Sequence, residues 1–413
     1  MKKISLWLGM IVIFVGIFLQ LYTILNLDKN IVIGEKKVLA TSLQRGTIFV
    51  SPHGKGKECI EKEPCSFVFY NKSTNTKAGD VVFFRGGIYK FSLDGVKRFY
   101  LKGGEIDNPI IYESYPGELA VFDGSDISTE DTPKEFWREG RLELRENYTI
   151  LRKVEIRNMP LYGVRVFGNH NIIEGCTIHD NHLSGLEIYN FKDGDSIKDN
   201  GGSYNIIRDN IVFNNSDEGL THHNYGDGNN ADGIILHSGV GNVLSHNRVY
   251  NNSDDGIDTW KSMNSVVEYN LVYENGKGLN GNGNGIKLGG TKKDSPLGSN
   301  TIAKHNISYL NRSMGININA GKNVLIEYNT VYKNGGFGYT LEDDTTLINN
   351  ISFENKEADV GWSKGKSQLN NSWQDGKKVE FKSTDINNID FLKPVLESDI
   401  IKIGAYFVPE KQK

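Results

Sequence analysis

Between about residue 147 and residue 357 the chain repeats a short apolar-polar-apolar pattern and almost never shows the three-to-four spacing of an amphipathic helix. Short strand-like segments follow Asn210, Asn247, Asn270, Asn306, Asn329 and Asn350, as in RDNIVF, SHNRVY, EYNLVY, KHNISY, EYNTVY and NNISFE. Five residues after each comes a second asparagine: Asn215, Asn252, Asn275, Asn311, Asn334 and Asn355. Units without insertions measure roughly 22 to 23 residues, room for three short strands and their turns. This predicts an all-β chain wound as a parallel β-helix. Apolar residues such as Val266, Val267, Leu271 and Val272 are expected to fill its interior. The asparagines are expected to stack at the bends, where an amide can bond both its neighbours and the turn backbone. Cys176 stands where later units carry asparagine, so the first ladder should begin after it, whereas the second begins at Asn181.

The same pattern divides the chain. GDVVFFRGGIYKF and NPIIYESYPGELAVFDGSD read as opening coils, and beyond Gly361 the repeat is lost in favour of pieces such as VEFKS and IIKIGAYFV. These are expected to cap an end whose backbone edges would otherwise lie open. The expected division is 1–27 as a signal-anchor or signal peptide, 28–45 as a tether, 46–360 as the β-helix and 361–413 as a cap. Insertions at about 190–203, 218–231, 276–282 and 290–298 should gather on one side and build a binding face. Lys2 and Lys3 precede an apolar stretch from about Ile4 to Leu25, which predicts a cytoplasmic start and an exported, extracellular body, either secreted or anchored.

With 46 glycines in 413 residues and a net charge of -4, the composition suits a turn-rich strand protein and shows no basic bias towards nucleic acid or anionic membranes. The membrane enters only through the N-terminal segment, and a solenoid capped at both ends is expected to be a monomer. Three cysteines do not make a disulfide scaffold. Cys59 and Cys65 bracket a short loop that an oxidising compartment could close, which the sequence leaves open, and Cys176 is expected as a buried free thiol.

Chemistry emerges from two columns of the repeat. Aligned on a recurring glycine, SGLEI, DGIIL, DGIDT, NGIKL, MGINI and FGYTL place Glu187, Ile235, Asp258, Lys287, Asn317 and Thr340 in one line. Ser184, Asp232, Asp255, Asn284, Met314 and Phe337 form another. Neighbours in such columns lie one strand spacing apart, about 4.8 Å. Asp232 should therefore lie over Asp255, and Asp258 beside Lys287. With Asp254 added, four carboxylates converge on two adjacent coils, and all-oxygen ligation favours calcium as their counter-charge. Lys287 is a candidate base for removing a proton alpha to a carboxylate, and an ion-pair partner of Asp258 is its simpler role.

At these residues a resemblance becomes specific. GDGNNADGIILHSGVGNVLSHNRVYNNSDDGIDTW followed by NGNGIKLGG resembles the polysaccharide lyase family 9 pectate lyases. The resemblance implies a right-handed parallel β-helix, calcium held by Asp232, Asp254, Asp255 and Asp258, Lys287 as Brønsted base, and β-elimination on an acidic, uronate-containing polysaccharide. Ile234, Ile257 and Ile286 depart from the aromatic residues common in that family, and Thr259 replaces a common leucine. Around this core His222, His223, His237, Trp260, Lys261, Arg312 and Lys322 are candidates for contact with sugar or polyanion. Two other readings compete: a polygalacturonase-like hydrolase, which needs two carboxylates and no lysine, and a non-catalytic polysaccharide-binding surface protein that uses calcium for stability.

Overall fold

Three parallel sheets run from Thr47 to Leu369, and every third strand returns to the same sheet. The first has 13 strands and the other two 10 each among the described residues. A computed structural model describes residues 46 to 406 except 74–75, 132–140, 190–200, 221–225, 291–297, 299, 343 and 362–366. The N-terminal apolar stretch and tether lie outside the described residues, among which no helix is long and apolar enough to cross a membrane.

Most strands are three residues long, which puts one side chain on one face and two on the other. In Val266–Glu268 and Leu271–Tyr273 the central Val267 and Val272 are fully buried, while Val266 and Leu271 remain partly exposed. The interior is thus built from the alternate positions alone, not from all four residues. In the third sheet the phase is reversed. Ile234 and Leu236 point into the core and the residue between them points out, as do Ile286 and Leu288 around Lys287. Each interior side chain contributes about 1.5–3 kcal/mol by leaving water.

The bends carry the asparagine ladders. Cys176 N–H donates to Asn210 Oδ1, and the line continues through Asn247, Asn270, Asn306, Asn329 and Asn350 to Asn371. The second starts where Met159 N–H donates to Asn181 and runs through Asn215 to Asn355. A third, shorter ladder, Asn171–Asn205–Asn242, accompanies them at another corner. At the first bend the preceding residue is left-handed in coil after coil, with φ of 57° at Asp209 and His246 and 54° at Tyr269. Such conformations are costly for non-glycine residues, and the amide bonds that follow each bend offset the cost.

The recurring glycine answers to proximity. A Cβ at Gly256 would lie 2.3 Å from Val272 Cγ1 and 2.6 Å from the Gly285 carbonyl oxygen, so any larger residue would drive adjacent coils apart. At the N-terminal end a short helix, Phe67–Lys72, buries Phe67 and Tyr70 against Phe84, Phe99 and Phe122. Six residues are too few to show a helical period in the sequence. Cys59 and Cys65 form a disulfide beside it, and Cys176 is a buried free thiol. At the other end Phe391, Leu392 and Ala405 pack on the outer aromatic side chains Tyr309 and Tyr332.

Candidate metal centre and catalytic site

The outward line of the third sheet pairs Glu143 with Arg165, Arg165 with Glu187, Glu187 with Ile235, Ile235 with Asp258, Asp258 with Lys287, and Lys287 with Asn317. The register is that of the repeat alignment, extended two coils earlier by Arg165 and Glu143. Beside it runs the pre-glycine line. Asp232 N–H donates to Ser184 Oγ at 3.1 Å, and Asp255 N–H to Asp232 Oδ1 at 3.0 Å. Asn284 gives both its N–H, at 2.7 Å, and its side-chain amide, at 2.9 Å, to Asp255 Oδ1. Each carboxylate therefore spends one oxygen on the next coil, which fixes its rotamer.

Asp232, Asp255 and Asp258 converge so that one oxygen of each lies within 4.8 Å of the others, and all three are buried. Burial first, then the charges of the neighbouring aspartates, push the Asp232 carboxyl well above the usual carboxylate range. Asp258 is raised for the same leading reason, against the pull of Lys287, and its buried Oδ1 has no hydrogen-bond partner. An orphaned carboxylate oxygen in a nest of buried acids fits a hard cation, and a donor set made only of oxygen matches calcium better than zinc.

Asp254 does not join this group. It is buried beside it, but its Oδ1 accepts the Asn282 N–H, which ties it to the 276–282 insertion. Burial and the adjacent Asp255 charge push its carboxyl up to about 8.

Lys287 closes the open side. Its Nζ lies 2.8 Å from Asp258 Oδ2 and 3.1 Å from Asp255 Oδ2, with the side chain 15% exposed at the rim. Burial alone would lower its pKa, but the charges of Asp258, Asp255 and Asp232 outweigh it and hold the ammonium protonated.

His237 and Trp260 sit on adjacent coils two residues past Ile235 and Asp258, with ring centroids 4.6 Å apart. His237 Nδ1 lies 3.4 Å from Glu187 Oε1, and Arg165 Nε donates to Glu187 Oε2 at 2.6 Å. Lys261 Nζ lies 4.7 Å from the centre of the Trp260 ring. The indole covers Gly290, whose φ is +135° and where a Cβ would lie 2.4 Å from Trp260 Cδ1, so the second glycine of KLGG makes room for it. The exposed Arg312 donates from its guanidinium to the carbonyls of Gly278 and Leu279 and so braces the insertion. Lys322 lies five residues beyond Asn317, with its carbonyl accepting from Asn300. His222 and His223 lie outside the described residues. The buried pair Arg165–Glu187 was missed from the sequence, although GVRV after Tyr162 repeats the glycine-apolar-x-apolar signal.

Known proteins share this fold. The chain is 29% identical over 349 residues to pectate lyase L of Dickeya dadantii (strain 3937), covering 79% of this chain and 75% of that protein. The crystal structure of pectate lyase Pel9A superposes with a TM-score of 0.67 at 25% identity, covering 89% of this chain and 91% of that one. A rhamnogalacturonan lyase shares the fold with a TM-score of 0.69 at 21% identity, covering 87% of this chain and 100% of the other. The family described as Pel9A-like, right handed beta helix region matches residues 48–371. Over most of its length, therefore, this chain belongs to the Pel9A-like right-handed β-helix family.

Proposed function

We propose that this protein is a calcium-dependent polysaccharide lyase of the cell exterior that cleaves a pectate-like, uronate-containing chain by β-elimination. The observation that carries the reading is Lys287 Nζ within ion-pair distance of two of three convergent buried carboxylates, which sets a base candidate beside a cation site. The relatives named pectate lyase support the substrate class.

Asp232, Asp255 and Asp258 would hold the ion, with Asp254 as a nearby fourth carboxylate. Calcium bound there would attract a uronate carboxylate, acidify the proton on the adjacent carbon and offset the charge that keeps Lys287 protonated. Neutral Lys287 Nζ takes the proton from the carbon alpha to the carboxylate. The electron pair left behind forms a carbon–carbon double bond, the bond to the 4-linked oxygen breaks, and that oxygen takes a proton from water. Burial of the acids fixes the base on one side of the sugar.

The test is incubation with polygalacturonate, rhamnogalacturonan and alginate, with calcium and with a chelator, while ultraviolet absorbance reports unsaturated ends. Product that depends on calcium is expected. Release of reducing ends with no unsaturation would instead indicate hydrolysis, and no product from any acidic polymer would remove the lyase reading.

A further inference from the structure

Tyr189, His237 and Trp260 occupy the same register position on three successive coils, each two residues past the outward line that leads to Asp258 and Lys287. Their ring centroids are 5.2 and 4.6 Å apart, and all three are partly exposed. Elsewhere the solenoid stacks its outer aromatic side chains flat: Phe213 on Tyr250 at 4°, Tyr250 on Tyr273 at 5°. Here the rings cross at 76° and 58°, so they do not lie flat on the next rung.

We infer that these three side chains form a sugar-binding track along the solenoid axis, one unit of an acidic polysaccharide per coil, leading into the Asp258–Lys287 site. The inference rests on the lyase reading of that site and adds how the polymer lies. Two residues of strand separate the track from the acidic line, about 7 Å, so a chain resting on the rings can turn its carboxylates towards Lys287. The C–H faces of a pyranose suit an aromatic surface, and the coil spacing is close to the advance of one unit of a 4-linked chain. Lys261 Nζ, 4.7 Å from the centre of the Trp260 ring, brings a positive charge to the track, as a polyanion requires. Arg165, buried and paired with Glu187, sets its guanidinium 5.0 Å from the Tyr189 ring centre and holds that ring in place. Glu187, itself held by Arg165, faces His237 Nδ1 and fixes that ring within the track.

The experiment compares kcat/KM on galacturonate trimer and hexamer for wild type, Tyr189→Ala, Trp260→Ala and Tyr189→Phe, with thermal melts to show that each variant is folded. The hexamer-to-trimer ratio should fall about three- to tenfold in each alanine variant and recover in Tyr189→Phe. An unchanged ratio in folded alanine variants overturns the track while leaving the lyase reading intact. If wild type makes no unsaturated product, the lyase reading fails, and migration through polygalacturonate gels decides the track alone. Retardation lost in Tyr189→Ala and restored in Tyr189→Phe supports it; equal retardation of all proteins, or none in any, overturns it.

Discussion

Lys287 Nζ lies 2.8 Å from Asp258 Oδ2, and the two residues are register partners on adjacent coils. The ammonium therefore competes with any cation for the same oxygens. Lys287→Ala should bind calcium more tightly than wild type in calorimetry while product formation falls by about a thousandfold or more. Lys287→Arg keeps the charge and should restore neither activity nor the wild-type pH profile. Weaker calcium binding in the alanine variant would show that the lysine supports the metal site instead of opposing it.

The buried acids set a pH dependence whose sign follows from Asp254. Its carboxyl, pushed up to about 8 by burial and then by Asp255, holds a proton in the folded chain that the unfolded chain gives up near 4. Stability is therefore lost as pH rises through that interval and is level above it. Lys287, raised by its acidic neighbours despite burial, stays charged and contributes fully across the same window. With a chelator present, Tm should fall between pH 5 and pH 8, and added calcium should raise Tm more at pH 8 than at pH 5. A chelator-treated protein that grows more stable over that range would contradict this.

Single neutral substitutions should separate the four aspartates. Asp232→Asn and Asp258→Asn each remove an oxygen from the convergent trio and should weaken calcium binding by about tenfold to a hundredfold. Asp254→Asn, whose Oδ1 is committed to Asn282 N–H, should cost less affinity and increase hydrogen exchange in the 276–282 insertion. Equal losses in all three variants would place Asp254 among the direct ligands.

Arg312→Ala should loosen the same insertion from its other side, because the guanidinium donates to the carbonyls of Gly278 and Leu279. Faster amide exchange across 276–282 with unchanged calcium affinity is the expected result. A drop in calcium affinity would mean that this insertion shapes the ligands themselves.

Asn306→Ala tests the ladder that carries the coils. The side chain accepts from the Asn270 N–H and donates to the Val267 carbonyl at 2.8 Å, all buried. Losing it leaves the buried Asn270 N–H without its partner and strips one bond from the Val267 carbonyl, a cost of about 1–3 kcal/mol, read as a shift in the denaturation midpoint at unchanged slope.

The columns were legible because a parallel coil converts equal positions in a repeat into neighbours in space, so aligning six glycines was enough to put Asp258 beside Lys287. The two long ladders and the start of one after Cys176 followed from the same alignment. Val266 and Leu271 were misread because an apolar pair within a three-residue strand does not show which member faces in. The partners of Asp254 and Arg312 were not legible at all. Both are bound by backbone groups of the 276–282 insertion, and where such a loop folds back is outside what a repeat period records. The disulfide stood open because two cysteines six residues apart can close only if the loop brings them together, as it does.

The pre-glycine line also separates two properties of this molecule. Asp232 to Asp255 is a bare turn of the coil, whereas Asp255 to Asn284 carries an insertion, yet both steps are closed by the same kind of amide-to-carboxylate bond. Extra residues thus leave the stack between strands without displacing the acids. Loops over the cleft can be lengthened, shortened or exchanged to suit a different polymer while the reacting groups keep their places, so the choice of substrate and the chemistry performed on it are free to change independently.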